Sequence, residues 1–309
     1  MRRRKRRATQ VGKDMNRLIL VSAGLLLAAT ASAEDINERL DASADGKVEI
    51  YNTAGSVTVE GWSQDAVEVT GTLGEEVDKF IFERKNDTVL VKVKPKKGKN
   101  SGGRSTSSHI TVRVPRQSSI EVATISADID VDGVEGEQDL QSVSGSVETQ
   151  VFAAEIEVET VSGGIDVAGS GADIEADLAT VSAGISVRDL SGMIDMESVN
   201  GKLEVGGGSF SDVAMETVNG RIDFNSSLRE GGDLDIETVN GKVVVNFVGG
   251  LSADIDVNTF NGRINNCFGP KPERTSEYAP GWELSFSEGG GEGSVNISTL
   301  NGGVTLCKE

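Results

Sequence analysis

The chain has 309 residues and a formal net charge of −19, with 38 Gly, 5 Pro and only 4% aromatic residues. A surface this acidic repels nucleic acid and anionic lipid, because the protein's long-range field excludes like charge. Scarce aromatics beside abundant Val, Ile, Thr, Ser, Asp and Gly exclude an aromatic-rich globular core and point to short strands joined by tight turns.

Charge is unevenly placed along the chain. Residues 1–33 hold eight Arg or Lys and one acid, Asp14, so 22 basic and 48 acidic residues follow them. The opening run Arg2, Arg3, Arg4, Lys5, Arg6 and Arg7 resembles a nucleic-acid tail in isolation, but it precedes a segment with the marks of export and cleavage. Arg17 supplies a positive start, Leu18 to Ala29 form an apolar core, and Ala31-Ser32-Ala33 fits the small-x-small cleavage rule, with Glu34 as the new N-terminus. Translation from Met15 would already give a complete signal. The apolar run of about a dozen residues is short of the roughly 20 that span a bilayer. An uncleaved anchor is the alternative reading. The expectation is an exported product in the periplasm, at the cell surface or secreted, with no stable membrane span after cleavage.

Residues 34–120 alternate as strands without a repeating turn, in GKVEIYNTAGSVTVEGW (46–62), AVEVTG (66–71), FIFERKNDTVLVKVKP (80–95) and HITVRVP (109–115). They are expected to cap one end of the stack that follows, since an open strand edge invites association. The stretch 94–109 reads as a mobile basic loop.

From 121 to 309 one motif recurs, as in VETVSGGIDV (158–167) and IETVNGKVVV (236–245). Its turn residue falls at Ser126, Ser144, Ser162, Ser182, Asn200, Asn219, Asn240, Asn261 and Asn301, a period near 19 with a doubled last interval. Such self-similarity marks repeat architecture. Within one unit Ile236 and Thr238 share a face, the Asn240-Gly241 turn is read as using positive φ, and Val243 and Val245 resume the inward side. Each period holds two short strands and two bends. A hairpin meander and a β-solenoid both fit this. The solenoid is preferred, because one residue type recurs at one coil position, as stacking rewards. The fold class is therefore all-β: a β-solenoid, single-stranded and β-helix-like, behind an N-terminal β cap. A Thr/Ser column (Thr160, Thr180, Ser198, Thr217, Thr238, Thr259 and Thr299) should face inward and hydrogen-bond along the stack, with the Asn column doing likewise at the corner.

Residues 267–296 form a longer excursion that holds Pro270, Pro272, Pro280 and Trp282. Cys267 and Cys307 each lie six residues after their turn Asn, at one coil position. If the excursion is one looped-out coil, they lie on neighbouring rungs and can bridge. If it hides a full extra coil, they cannot. An oxidising compartment favours a Cys267–Cys307 disulfide.

Gly55-Ser56-Val57-Thr58-Val59-Glu60-Gly61-Trp62, the strand ending in Val114-Pro115 and the Val-Ser-Gly and Val-Asn-Gly repeats together resemble a family of exported bacterial proteins labelled adhesins, of unknown function, related to GIN-domain adhesin heads and LiaG-like proteins. The resemblance covers nearly all of the exported chain. It implies a β-solenoid at the cell surface or in the periplasm and carries over no catalytic residues.

Chemistry-bearing motifs are sparse. His109 is the single His, so no Ser-His-Asp set can form, and no zinc ligand set or P-loop is present. Catalytic carboxylates come as a singular pair. Here Glu197, Glu216 and Glu237 stack as a ladder, and Lys202, Arg221, Lys242 and Arg263 form a basic column expected to neutralise it. Ca²⁺ bridging of the carboxylates is the alternative, without the calcium-roll glycine motif to support it. No cofactor, no metal and no nucleic-acid partner is expected. The functional reading is a non-catalytic, adhesin-like scaffold that meets a protein or glycan partner at the cell envelope. An accessory protein of envelope-stress signalling is a second reading, and a polysaccharide-active solenoid enzyme a third.

Overall fold

The computed structural model describes residues 34–96, 107–276 and 280–308. The export-signal reading and most of the basic loop reading fall outside them. The first strands are β1 (Glu34–Asp41), β2 (Lys47–Trp62), β3 (Ala66–Leu73), β4 (Val77–Lys85), β5 (Thr88–Pro95), β6 (Ser108–Pro115) and β7 (Ser119–Asp132). Next come β8 (Gln138–Ser142), β9 (Val147–Val151), β10 (Ile156–Thr160), β11 (Ile165–Gly169), β12 (Asp173–Thr180), β13 (Ile185–Arg188) and β14 (Ser191–Ser198). Then follow β15 (Leu203–Thr217), β16 (Ile222–Thr238), β17 (Val243–Phe247), β18 (Ala253–Thr259) and β19 (Ile264–Asn266). The chain ends with β20 (Glu273–Arg274), β21 (Trp282–Glu288), β22 (Gly293–Thr299) and β23 (Val304–Lys308).

These strands build two parallel ladders joined at the Ser/Asn corner. The first ladder runs β5, β2, β7, β8, β10, β12, β14, β15, β16, β22, β18, all in parallel. The second runs β6, β2, β7, β9, β11, β13, β15, β16, β17, β23, β19, also in parallel. The long strands β2, β7, β15 and β16 pass through both ladders. Antiparallel strands lie only at the ends: β4 beside β5, β3 and β1 beside β6, and β21 and β20 beside β18.

The core is the space between the ladders. Strand alternation sends Ile236 from the first ladder and Val243 and Val245 from the second into it, all three fully buried. Phe210, Phe224, Phe247, Phe268 and Phe286 form a chain of ring contacts, with centroids 5.7–6.5 Å apart. The few aromatics are therefore mostly core filling, concentrated in the later rungs.

The corner glycines act differently from the sequence expectation. Gly201, Gly220 and Gly241 are not among the positive-φ residues. Their role is steric. A Cβ on Gly220 would lie 1.7 Å from the Gly201 carbonyl oxygen, and one on Gly241 would lie 1.8 Å from that of Gly220. Positive φ is used at the opposite corner, as at Gly207 and Gly208 (75° and 81°). The register shifts of β14–β15 and β15–β16 fall there too. The Ser/Asn corner is thus held to one length, and the opposite corner absorbs the unequal spacing of the repeats.

Two rungs lie out of sequence order. The β22–β23 rung sits between β16–β17 and β18–β19. At the other end, β2 sits between the β5–β6 rung and β7. The excursion after β19 therefore carries the chain outward through β20 and β21 and returns it one rung inside its point of departure. Cys267 and Cys307 consequently lie on adjacent rungs and form a disulfide, with Cα atoms 4.8 Å apart.

Two outcomes are expected from this geometry. Gly241→Ala should lower the urea-unfolding stability by about 3 kcal/mol through overpacking. Gly250→Ala, where a Cβ meets nothing within 4 Å, should stay within about 0.5 kcal/mol. For strand order, Val244→Cys with Thr305→Cys should crosslink spontaneously, because these residues are register partners. Val244→Cys with Asn265→Cys should not, because Thr305 lies between them and two rungs span about 9.6 Å, beyond disulfide reach. Gel mobility without reductant checks both.

Candidate functional site

The corner imposes one register on everything it carries. Asn219 Nδ2 donates to Asn200 Oδ1 at 2.9 Å, Asn240 to Asn219 at 2.9 Å, Asn301 to Asn240 at 2.8 Å and Asn261 to Asn301 at 2.8 Å. The order 200, 219, 240, 301, 261 repeats the out-of-sequence rung. Main-chain bonds run beside it, such as Asn240 N to Val218 O at 2.8 Å. Ser144, Ser162 and Ser182 keep the main-chain bond, to the carbonyls of Ile125, Val143 and Val161. Among the described residues, no side-chain bond joins Ser126, Ser144, Ser162 and Ser182 into a ladder. The Ser side chain is shorter than that of Asn, whose amide carries donor and acceptor on separate atoms and so bridges the rung spacing.

The Thr/Ser column faces inward and is buried. Among the described residues it bonds along the stack at one step, Thr160 to Thr180 (2.8 Å), and its continuation toward the first rungs at one more, Thr124 to Ser142 (3.0 Å). Several of its hydroxyls also serve the corner main chain, as in Thr160 to Gly163 O at 2.6 Å and Thr259 to Gly302 O at 2.9 Å, whereas those of Thr238 and Thr299 are buried without a hydrogen-bond partner. Where the bond forms, a hydroxyl two positions before the turn satisfies a carbonyl that the bend leaves free; at Thr238 and Thr299 the residue only fills its buried position.

If Thr points inward, the next residue must point outward. That residue is apolar in every copy. Val143, Val161, Val181, Val199, Val218 and Val239 form one exposed column, continued by Ile125 at one end and by Leu300 and Phe260 at the other, each 39–54% exposed. The signal stood in the aligned repeats. It was missed because a β-branched apolar residue in a strand is ordinarily read as core. Two positions earlier, Glu159, Glu197, Glu216 and Glu237 stand on the same outward face. Together the two columns line a groove of about 820 Å³ that runs along the stack from Ala123 to Leu300.

The basic column does not neutralise this wall. Lys202 Nζ reaches Glu204 at 2.6 Å and Asp223 at 3.1 Å, and Arg221 Nε reaches Asp223 at 2.6 Å. Lys202 and Arg221 follow the corner and so project from the second ladder, where Glu204 and Asp223 take them. Among the described residues, no ion pair involves Glu159, Glu197, Glu216 or Glu237. Burial, followed by the charges of Glu237 and Glu197, raises the carboxyl of Glu216 above its ordinary value. Burial, with Glu197 and Asp177 behind it, does the same to Asp195.

Other chemistry-bearing residues do not converge. His109 is exposed and contacts Ser56 Oγ at 2.9 Å. Trp62 carries Arg39 and Arg113 over its ring, and Trp282 carries Arg274. No group of three or more His, Cys, Asp or Glu among the described residues is placed to hold a metal ion.

A stack of parallel rungs with one corner of fixed geometry and one of variable length defines a two-ladder parallel β-solenoid. The family described as Toastrack DUF4097 matches residues 45–306, and the chain belongs to it. This bears out the resemblance to the adhesin-labelled proteins. No curated protein matches the chain significantly. Among solved structures, a "putative adhesin" from Bacteroides fragilis is similar at 13% identity, over 90% of this chain and 99% of that one, with a TM-score of 0.45. A "putative lipid binding protein" from Parabacteroides distasonis shares 13% identity over 89% and 97%, with a TM-score of 0.44. A "putative cell adhesion protein" from Clostridium sporogenes shares 8% over 90% and 100%, with a TM-score of 0.31. No helix among the described residues is long and apolar enough to cross a membrane.

The carboxylate columns set an expected pH dependence. Glu216, Asp195 and Glu157 have raised folded-state values, so the folded chain binds protons that the unfolded chain releases. Stability should therefore rise as pH falls from 7 through those raised values toward about 4.5. Glu121 is held low by hydrogen bonds from Lys47 and Tyr51, and Asp173 by Arg229. Their contribution is present above the ordinary carboxylate values and is lost at lower pH, which turns the curve down. Urea midpoints at pH 7, 5 and 3 should pass through a maximum, and added salt should raise the pH 7 value most.

Proposed function

We propose that the chain is an exported, non-catalytic interaction protein of the cell envelope, adhesin-like in role, and that its binding face is the corner groove. The observation that carries this reading is the unbroken column of exposed Val, Ile, Leu and Phe side chains. Scattered surface apolar residues need no explanation, but a contiguous stripe does. This one recurs once per rung, so the stack builds a continuous apolar line. The carboxylates around it form ladders without a converging pair, which supports binding over catalysis.

The remaining parts fit this role. Residues 1–33 serve export. Residues 34–120 contribute the antiparallel strands β1, β3 and β4, which would block edge-to-edge growth of the stack at that end, as β20 and β21 would at the other. The Cys267–Cys307 bridge would hold the terminal rung in an oxidising compartment.

The groove itself is tested by Val181→Thr, Val199→Thr and Val218→Thr in combination. Thr keeps strand propensity but replaces a methyl with a hydroxyl. Beads bearing the exported chain should retain cell-envelope material, and beads bearing the triple variant less than a tenth as much, at an unchanged urea midpoint. Equal retention by the variant would place the binding face elsewhere.

A further inference from the structure

The groove has a chemical polarity that narrows its occupant. Its floor is the Val column and its wall the Glu column, two residues apart on each rung. Glu197, Glu216 and Glu237 pair in register across three successive rungs, and Glu159 stands two rungs before Glu197, across Ala179. Behind them on the same face lie Asp139, Glu157, Asp177 and Asp195 on four successive rungs, and Asp235 beyond Ala214. No Lys or Arg stands among these positions, and in the nearest basic column, on the other ladder, Lys202 and Arg221 are held by Glu204 and Asp223. A concave strip lined by one sign of charge concentrates the opposite sign.

We infer, resting on the reading of the groove as a binding face, that it takes an extended, cationic and amphipathic polypeptide segment, one that alternates apolar residues with Lys or Arg. Apolar side chains cover the valines. The basic side chains lay their aliphatic stems on the same floor and bring their heads to the Glu wall. The charge excludes fatty acids, anionic lipid and nucleic acid, and it opposes a second copy of a chain whose net charge is −19. Length also fits. Val143 to Leu300 spans seven rungs, about 29 Å at ~4.8 Å per rung, which an extended chain covers with about nine residues at ~3.4 Å each. The segment crosses the strands instead of joining a sheet edge, so side chains supply the recognition and binding should weaken steeply with salt.

The test is calorimetric titration of the exported chain with ten-residue peptides: alternating Leu-Lys, alternating Leu-Glu, alternating Ser-Lys and alternating Leu-Ser. Leu-Lys should bind. The other three should bind at least tenfold more weakly. Glu197→Gln, Glu216→Gln and Glu237→Gln together should weaken Leu-Lys binding at least tenfold and flatten its salt dependence. Asp130→Asn, Glu148→Gln and Asp166→Asn, which change an acidic patch on the second ladder, should leave it within twofold. Equal losses in the two charge variants would mean diffuse attraction to an acidic protein and would overturn the inference. So would Leu-Ser or Leu-Glu binding as tightly as Leu-Lys. Loss of envelope retention in the Val→Thr variant without Leu-Lys binding would keep the groove as a binding face while discarding the cationic occupant. Retention unchanged in that variant would remove the groove itself.

Discussion

Each corner glycine lies against the main-chain carbonyl of the corner on the next rung, so closely that a Cβ there would fall 1.7–1.9 Å from oxygen at Gly145, Gly163, Gly201, Gly220, Gly241, Gly302 and Gly262. That approach leaves one position free of a side chain on nearly every rung and fixes how far one rung can slide over the next. With slide removed, every position of the repeat becomes a column at strand spacing. On most rungs the hydroxyl two residues earlier meets a corner carbonyl, the Asn amides chain together, and the residue between them has nowhere to point but outward.

Stacking in register multiplies whatever a rung carries. For Asn this is favourable, since each amide both donates and accepts along the column. For Glu it is unfavourable, since like charges meet at strand spacing. Burial first, and the neighbouring carboxylates after it, raise the carboxyl values of Glu216 and Asp195. The second ladder relieves part of its own crowding with Lys202 and Arg221, whereas the first ladder leaves its wall uncompensated beside an apolar column. A face that stores repulsion next to exposed valines is unlike an ordinary solvated sheet, and this difference supports its assignment as a binding surface.

The ends of the stack obey a different logic from its middle. Between β7 and β16 each rung follows the previous one, and the chain needs only a short bend to step up. At each end the chain leaves the stack, adds antiparallel strands, and one rung lies out of order. The penultimate coil, β18–β19, thereby becomes the outer parallel rung, and the last coil is held on both sides. The disulfide joins these two rungs at one coil position. Removal of the chain end would thus require loss of both neighbouring strand pairings.

Much of this was legible in the residues. The nine turn positions, the two strands per period and the shared coil position of Cys267 and Cys307 follow from spacing and alternation alone. So, in principle, did the exposed valines, since an inward Thr forces the next side chain outward. Three things were decided only by the tertiary structure. Whether Asn301 stacks beside Asn240 or beyond Asn261 is invisible in a repeat, because equivalent rungs offer equivalent partners. The purpose of the corner glycines depends on a carbonyl from a neighbouring rung, not on their own φ. The fate of Lys202 and Arg221 depends on which ladder they project from after the bend, and that placement gives their charge to Glu204 and Asp223 and leaves the groove wall bare. Local pattern determines which way a side chain points along one strand. Contacts between rungs depend on stacking order, and that order is set where the chain leaves the stack and returns.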